Sequence, residues 1–277
     1  MTLASSIRAY FRIRPRRFVD AIRLFYAYAR SALLCVSMPS RFSSVGFLIP
    51  GTQNLQVRLD GIRFDVRPQT NDLDLMSPKH EPVTTEWFRV EREDIVVDVG
   101  AHIGRYTLRA AANEARVIAI EPEPSNFALL ERNVKLNGRS NVALIPCAMT
   151  DRPRPLRLSL APPSNTGTSR VLPDLDITPM DSGNEGEVAV PGETLDNLVK
   201  AHRLTRIDWL KIDAEGHEAA VLEGGESALA IARRLIVEVT EGTAEACRRM
   251  AAKHGFAVAS VEVGSPASNL LLLKEGR

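Results

Sequence analysis

The apolar run Ile95-Val96-Val97 stops at Asp98-Val99-Gly100, and a helical pattern begins after Ala101-His102-Ile103-Gly104. Glycine at 100 lets a strand turn tightly, and glycine at 104 lets the next helix start close to a ligand with no Cβ in the way. A helix start carries unpaired N–H groups and a partial positive charge, which favours a carboxylate-bearing ligand. The spacing is G-x-x-x-G, not the G-x-G-x-x-G of a nicotinamide-binding turn. Alone, such a turn is equally a plain strand-to-helix connection. The next apolar run, Arg116-Val117-Ile118-Ala119-Ile120, ends in Glu121-Pro122, about twenty residues past the first glycine. An acid there can accept both hydroxyls of a ribose. By itself Glu121 could be a solvated strand-end acid; together the two features predict a nucleoside-type cofactor.

A third group closes another short apolar strand: Lys211-Ile212-Asp213-Ala214-Glu215-Gly216-His217-Glu218. Asp213, Glu215 and His217 supply two acids and the one side chain that titrates naturally near neutrality. Lys211 faces away from Ile212 and reads as structural. His217 and Glu218 also suit a solvated helix start, where an acid complements the helix dipole.

Strand patterns fall at 95–99, 116–120, 142–148, 209–212, 235–239, 257–263 and 270–274, with helical patterns at about 104–113, 125–137, 194–202, 217–231 and 243–254. This alternation predicts an α/β fold: a Rossmann-like, mostly parallel seven-stranded sheet over 94–277, closed by an antiparallel C-terminal strand pair. A Pro-, Gly-, Ser- and Asp-rich insertion, 151–191, has one strand-like run at 156–160. It leaves the carboxyl ends of the strands, where ligands bind, and reads either as a substrate lid or as a disordered surface insertion. Residues 51–93 read as a lead-in: a β-hairpin at 55–59 and 62–66 turning on Asp60-Gly61, then a helix running to Val90.

Residues 1–50 form a basic arm. Its first 41 residues hold eight arginines against the single acid Asp20, a net charge of +7, whereas the whole chain carries +1. Phe18, Ile22, Phe25, Tyr26, Ala29 and Leu33 recur at helical spacing and predict an amphipathic helix over 17–36. That helix either packs on the main domain or lies on an anionic membrane. No run is long and apolar enough for a spanning helix. Cys35, Cys147 and Cys247, odd in number and far apart, fit neither a disulfide framework nor a zinc site and suggest a cytoplasmic protein, peripheral to the membrane if the arm binds it.

The segments from Val97 to Leu108, Ile120 to Phe127, Asn133 to Gly138, Glu193 to Leu198 and Ile207 to Glu218, in that order, resemble the FkbM family of methyltransferases over roughly 65–275. The resemblance implies a class I fold, S-adenosyl-L-methionine as cofactor, and O-methylation of a hydroxyl, often on a sugar of a glycan, glycolipid or secondary metabolite. It implies that Asp98, Gly100 and Gly104, with Ala101 and His102, line the methionine end of the cofactor. Glu121, with Pro122, would hold the ribose, and Ala148 and Met149 would lie near the adenine. Asp72, in a polar cluster with Thr70 and Asn71, is counted with them. His102 departs from the pattern, since many members carry Asn there.

A sulfonium methyl is inherently electrophilic, but a sugar hydroxyl is a poor nucleophile, so the protein must align the two and help remove a proton. Asp213, Glu215 or His217 is expected as base or substrate anchor, with Asp213 facing the cofactor. A divalent metal held by Asp213 and Glu215 is the less favoured reading. The expected partner is a small-molecule or glycan acceptor and not nucleic acid, because strand four lacks the Asp/Asn-Pro-Pro-aromatic sequence of amino-methyltransferases. The oligomeric state is left open. The competing readings are a cofactor-binding or membrane-docked scaffold of the same fold, or a nicotinamide-dependent oxidoreductase.

Overall fold

The computed structural model describes residues 13–37, 45–77, 79–162, 165–172, 186–264 and 266–275. In chain order, the N-terminal part is β1 (Arg14–Pro15), α1 (Phe18–Ser37), β2 (Leu55–Leu59), β3 (Ile62–Val66), α2 (Asp72–Leu75) and α3 (Pro82–Trp87). The alternating part follows with β4 (Ile95–Val99), α4 (Arg105–Ala112), β5 (Arg116–Ile120), α5 (Pro124–Leu136), β6 (Val142–Ile145) and β7 (Ala148–Met149). After β8 (Arg154–Ser159), β9 (Arg170–Val171) and β10 (Glu187–Glu193) come α6 (Leu195–Ala201), β11 (Trp209–Ile212), α7 (Glu218–Glu223) and α8 (Glu226–Ile231). The chain closes with β12 (Arg234–Thr240), α9 (Ala244–Lys253), β13 (Phe256–Glu262) and β14 (Ala267–Lys274).

The central sheet has seven strands in the order β13-β14-β12-β11-β4-β5-β6, all parallel except β14, which runs antiparallel to both neighbours. This is the expected doubly wound arrangement with its C-terminal antiparallel pair. Its inner strands are apolar on both faces, because helices cover both. Val97, Ile118, Leu210 and Leu235 pack to one side with α6 to α9; Val96, Val117, Trp209 and Ile236 pack to the other with α4, α5, the β2–β3 hairpin and α1.

The hairpin turns on Asp60 (φ 48°) and Gly61 (φ 86°), the two left-handed residues that a turn matching strand twist requires. The single helix expected up to Val90 is instead two short ones. Pro82, at the first turn of α3, follows Glu81 in the left-handed region at φ 45°, and that kink ends any continuous helix.

Helix α1 forms where the periodicity places it and packs on the domain, but through a different face. Leu24, Ala27 and Ser31 are buried together with Asp20, while Phe18, Val19, Ile22, Phe25 and Tyr26 face solvent. Asp20 fixes this rotation. Its carboxylate is fully buried, accepts from Arg17 Nε at 2.7 Å and from Arg23 Nη1 at 3.4 Å, and also takes the Gln56 backbone N–H at 3.2 Å. Leaving that charge unpaired would cost more than exposing the aromatics. Leu33 and Cys35 belong to the stretch whose side chains lie outside the described residues.

The described residues of the insertion join β7 in a second sheet, β7-β10-β8-β9, with Leu156, Leu158 and Val190 in a small core of their own. Only β8 was legible in the sequence. In β10 the pair Pro191-Gly192 reads as a turn, although it continues the pairing opposite Pro155 and Arg154. Residues 173–185 lie outside the described part.

Candidate active site

In a doubly wound sheet, ligands bind beyond the carboxyl ends of the strands where the strand order reverses. Here that point is β4, which has β5 on one side and β11 on the other. A cavity of about 680 Å³ opens there and runs across six strand ends. Its wall takes Asn269 from β14, Glu238 from β12, Lys211 and Asp213 from β11, Gly100 after β4, Glu121 after β5, and Cys147 to Met149 after β6. Ala101, His102, Pro122, Glu215 and His217 line it too; Asp98, Gly104 and Asp72 do not.

The β4 turn is built by backbone contacts. Gly100 and Ala101 both donate N–H to the Ile120 carbonyl at 3.0 Å. Gly100 has φ +78°, and a Cβ on it would stand 1.8 Å from the Asp213 carbonyl oxygen, so only glycine lets the β4 and β11 ends approach. Gly104 has φ +101°, and a Cβ on it would stand 2.9 Å from Leu130. His102 also lies in the left-handed region, at φ 49°, which Asn and His tolerate better than most residues.

Glu121 joins the two turns. Its Oε2 accepts the His102 N–H at 2.8 Å and its Oε1 the Glu123 N–H at 2.9 Å, and burial raises its pKa to about 7. Asp98 stands beneath the turn, 1% exposed, with Oδ2 accepting from Thr107 Oγ1 at 2.6 Å. Asp72 stands behind His102. Burial alone would raise its pKa, but a two-pronged contact from Arg67, at 2.8 and 2.9 Å, outweighs that and holds it low. Thr166, from the insertion, bonds to Asp72 at 2.8 Å and to His102 Nε2 at 3.0 Å, so the insertion is fastened over the β5 side of the cavity. Burial depresses the His102 pKa to about 4, leaving the ring neutral at physiological pH.

The β11 side is carboxylate-rich. Lys211, read from the sequence as structural, lines the cavity. Its ammonium lies 2.9 Å from Asp213 Oδ2 and 4.8 Å above the Tyr106 ring, and although burial opposes it, Asp213, Glu81 and Asp98 keep it charged. Asp213 in turn pushes the Glu238 pKa far up, with burial adding to the shift. Burial, then Asp213, raises Glu215 to about 8. Glu215 (φ 49°) and Gly216 (φ 98°) form a left-handed turn held by Glu218, which accepts N–H groups of Ala214 and Gly216 at 3.2 and 2.7 Å. Glu218 is thus a buried capping acid and not a solvated one. His217 Nε2 lies 3.1 Å from Thr150 Oγ1, tying this turn to β7.

Sequence reading missed Glu81, Glu238, Arg105, Tyr106 and Asn269. Glu81 accepts from Tyr106 Oη at 2.8 Å and Asn269 Nδ2 at 2.9 Å; burial would raise its pKa, but Lys211 brings it down. Arg105, buried at the start of α4, donates to the carbonyls of Leu75, Ser77 and His80 and so clamps the segment that carries Glu81. For Lys211 and Glu238 a signal existed: a lone charge inside an apolar strand needs partners.

A family model described as methyltransferase FkbM domain matches residues 98–258. The hexuronic acid methyltransferase AglP of Haloferax volcanii is 28% identical over 154 residues, which is 55% of this chain and 58% of that protein, under two thirds of its length. Methyltransferase 1 of Beauveria bassiana is 27% identical over 184 residues, 60% of this chain and 74% of that one. Among solved structures, TrmK of M. capricolum with S-adenosyl-homocysteine aligns with a TM-score of 0.45 and 10% identity, covering 71% of this chain and 69% of that one.

Proposed function

We propose that this chain, which belongs to the FkbM family of methyltransferases, carries a methyl group from S-adenosylmethionine to a hydroxyl of a sugar-like acceptor. The observation that carries the reading is a single cavity at the sheet's switch point with Glu121 on the β5 side and Asp213 and Glu215 on the β11 side. Its volume suits a ligand of nucleoside size with an acceptor beside it. Glu121 has lone pairs beyond those its two backbone donors use, which fits a diol. When bound, the cofactor supplies an electrophilic sulfonium methyl group.

The remaining work falls to the chain. Glu215 takes the proton of the acceptor hydroxyl, its pKa near 8 matching the operating pH better than an ordinary carboxylate would. Asp213, oriented by Lys211, anchors the hydroxyl, and His217 holds the turn against Thr150. A sugar acceptor is supported by the name of the haloarchaeal relative, a hexuronic acid methyltransferase. Calorimetry with S-adenosylmethionine tests the cofactor, and absence of binding would end the proposal. A labelled-methyl screen over neutral hexosides, hexuronates, glycolipids and polyketide glycosides then identifies the acceptor.

We propose further that α1 rests on an anionic membrane surface. Among the described residues no helix is long and apolar enough to cross a membrane. The outward face of α1 nevertheless carries Phe18, Val19, Ile22, Phe25 and Tyr26, with Arg14, Arg16, Arg17 and Arg30 exposed around it. That combination suits the headgroup boundary of an acidic bilayer.

A further inference from the structure

Three carboxylates from distant parts of the chain meet on the β11 side of the cavity: Glu81 ahead of α3, Asp213 after β11 and Glu238 in β12. One oxygen from each lies within 4.8 Å of the other two. Lys211 is the ammonium among them, 2.9 Å from Asp213 Oδ2, so the carboxyl groups outnumber the ammonium three to one.

Asn269 supplies the independent observation. It is 5% exposed, lines the same cavity, and donates Nδ2 to Glu81 Oε1 at 2.9 Å. Turning the amide over would set its oxygen against that carboxylate, so Glu81 fixes the orientation. Asn269 Oδ1 is thereby left as a buried acceptor with no hydrogen-bond partner among the described residues.

We propose that Glu81, Asp213 and Glu238, with Asn269 Oδ1, hold a hard divalent cation: magnesium, manganese or calcium. The donor set is all oxygen, which selects such ions over zinc or copper. Two ligands of one ion lie at most two bond lengths apart, about 4.2 Å for magnesium and about 4.6–5.2 Å for calcium. A separation of no more than 4.8 Å is compatible with calcium, and magnesium or manganese needs the oxygens within about 4.2 Å of one another. Glu215, which the sequence paired with Asp213, is not part of this group.

The site stands on these side chains and not on methyl transfer, so it is tested without cofactor. The full chain, stripped with chelator, is titrated with manganese while the signal of the free ion is followed by electron paramagnetic resonance. One equivalent is expected to bind, with affinity falling about tenfold or more in the isosteric variants Glu238→Gln and Glu81→Gln. Melting curves identify which variants fold, and Asn269→Ala, which leaves the carboxylates in place, should bind several-fold more weakly. No saturable binding, or binding unchanged in both Gln variants, overturns the site. Manganese binding in a chain that ignores S-adenosylmethionine would refute the methyltransferase proposal and leave this one standing.

Discussion

Titrating cofactor affinity across neutrality, in the wild type and in Glu121→Gln, isolates the role of one carboxylate. Burial lifts Glu121 to about 7. It is then roughly one-tenth ionised at pH 6 and roughly nine-tenths at pH 8. The ionised form is the one that accepts two ribose hydroxyls, so affinity for S-adenosylmethionine should rise roughly tenfold between those pH values. In Glu121→Gln one oxygen becomes an NH2 facing the N–H of His102 or Glu123, and one charge-assisted bond to the ligand is lost. Such a bond contributes about 1.5–3 kcal/mol, so binding at pH 8 should weaken roughly 10- to 150-fold and lose most of its pH dependence. The sign for stability is opposite. A carboxyl raised above its unfolded value of 4.5 keeps its proton in the folded chain, so its contribution is complete at low pH and is lost as pH climbs from about 4.5 through 7, by about 3 kcal/mol at most. Calorimetry at pH 6, 7 and 8 decides. Affinity flat over that range in the wild type, or within twofold of wild type at pH 8 in the variant, refutes the ribose assignment.

With an accepted substrate, Asp213→Asn should lower turnover by about a hundredfold or more while leaving cofactor affinity nearly unchanged; full turnover would remove Asp213 from the mechanism. Glu215→Gln should abolish the rise of turnover toward pH 8 that its raised pKa predicts in the wild type, and a profile of unchanged shape would assign the base elsewhere. Lys211→Met leaves Asp213, Glu81 and Asp98 without their shared ammonium, a loss of about 3–5 kcal/mol readable from the denaturation midpoint; a loss under about 1 kcal/mol would mean those acids simply take up protons. Replacing the exposed Ile22 and Phe25 with Glu should abolish flotation on anionic vesicles at low salt without shifting the melting temperature, whereas a wild type that fails to float leaves α1 a packing helix only.

The alternating half of the fold was legible because parallel strands covered on both faces read as uninterrupted apolar runs, as at 95–97, 117–120 and 235–237. The turn at Gly100 and the acid at Glu121 were legible because their chemistry is local. The rotation of α1 was not, because it is set by a buried charge: the periodic stripe names Phe18, Ile22 and Phe25, but Asp20 must reach Arg17, Arg23 and the Gln56 N–H. Nor was the sheet of the insertion, since Pro191-Gly192 carries a turn's composition through a paired strand. The carboxylate cluster falls between these cases. No motif surrounds Glu81 or Glu238, and neither would be singled out alone. Yet β11 and β12 are parallel neighbours in which Lys211 pairs with Ile236 and Ile212 with Val237, and one further step sets Asp213 beside Glu238. Both strands bear a charge inside an apolar run, and charges in adjacent buried strands must answer one another. Register therefore carried information that the motifs lacked: once two strands are known to be neighbours, their buried charges locate the polar end of the site. Glu81 escapes even that argument, because its segment is brought to the strand ends by contacts distant in sequence: the Arg105 clamp on the carbonyls of Leu75, Ser77 and His80, the Glu262 carboxylate on the Val83 and Thr84 N–H groups, and Asn269 on Glu81 itself.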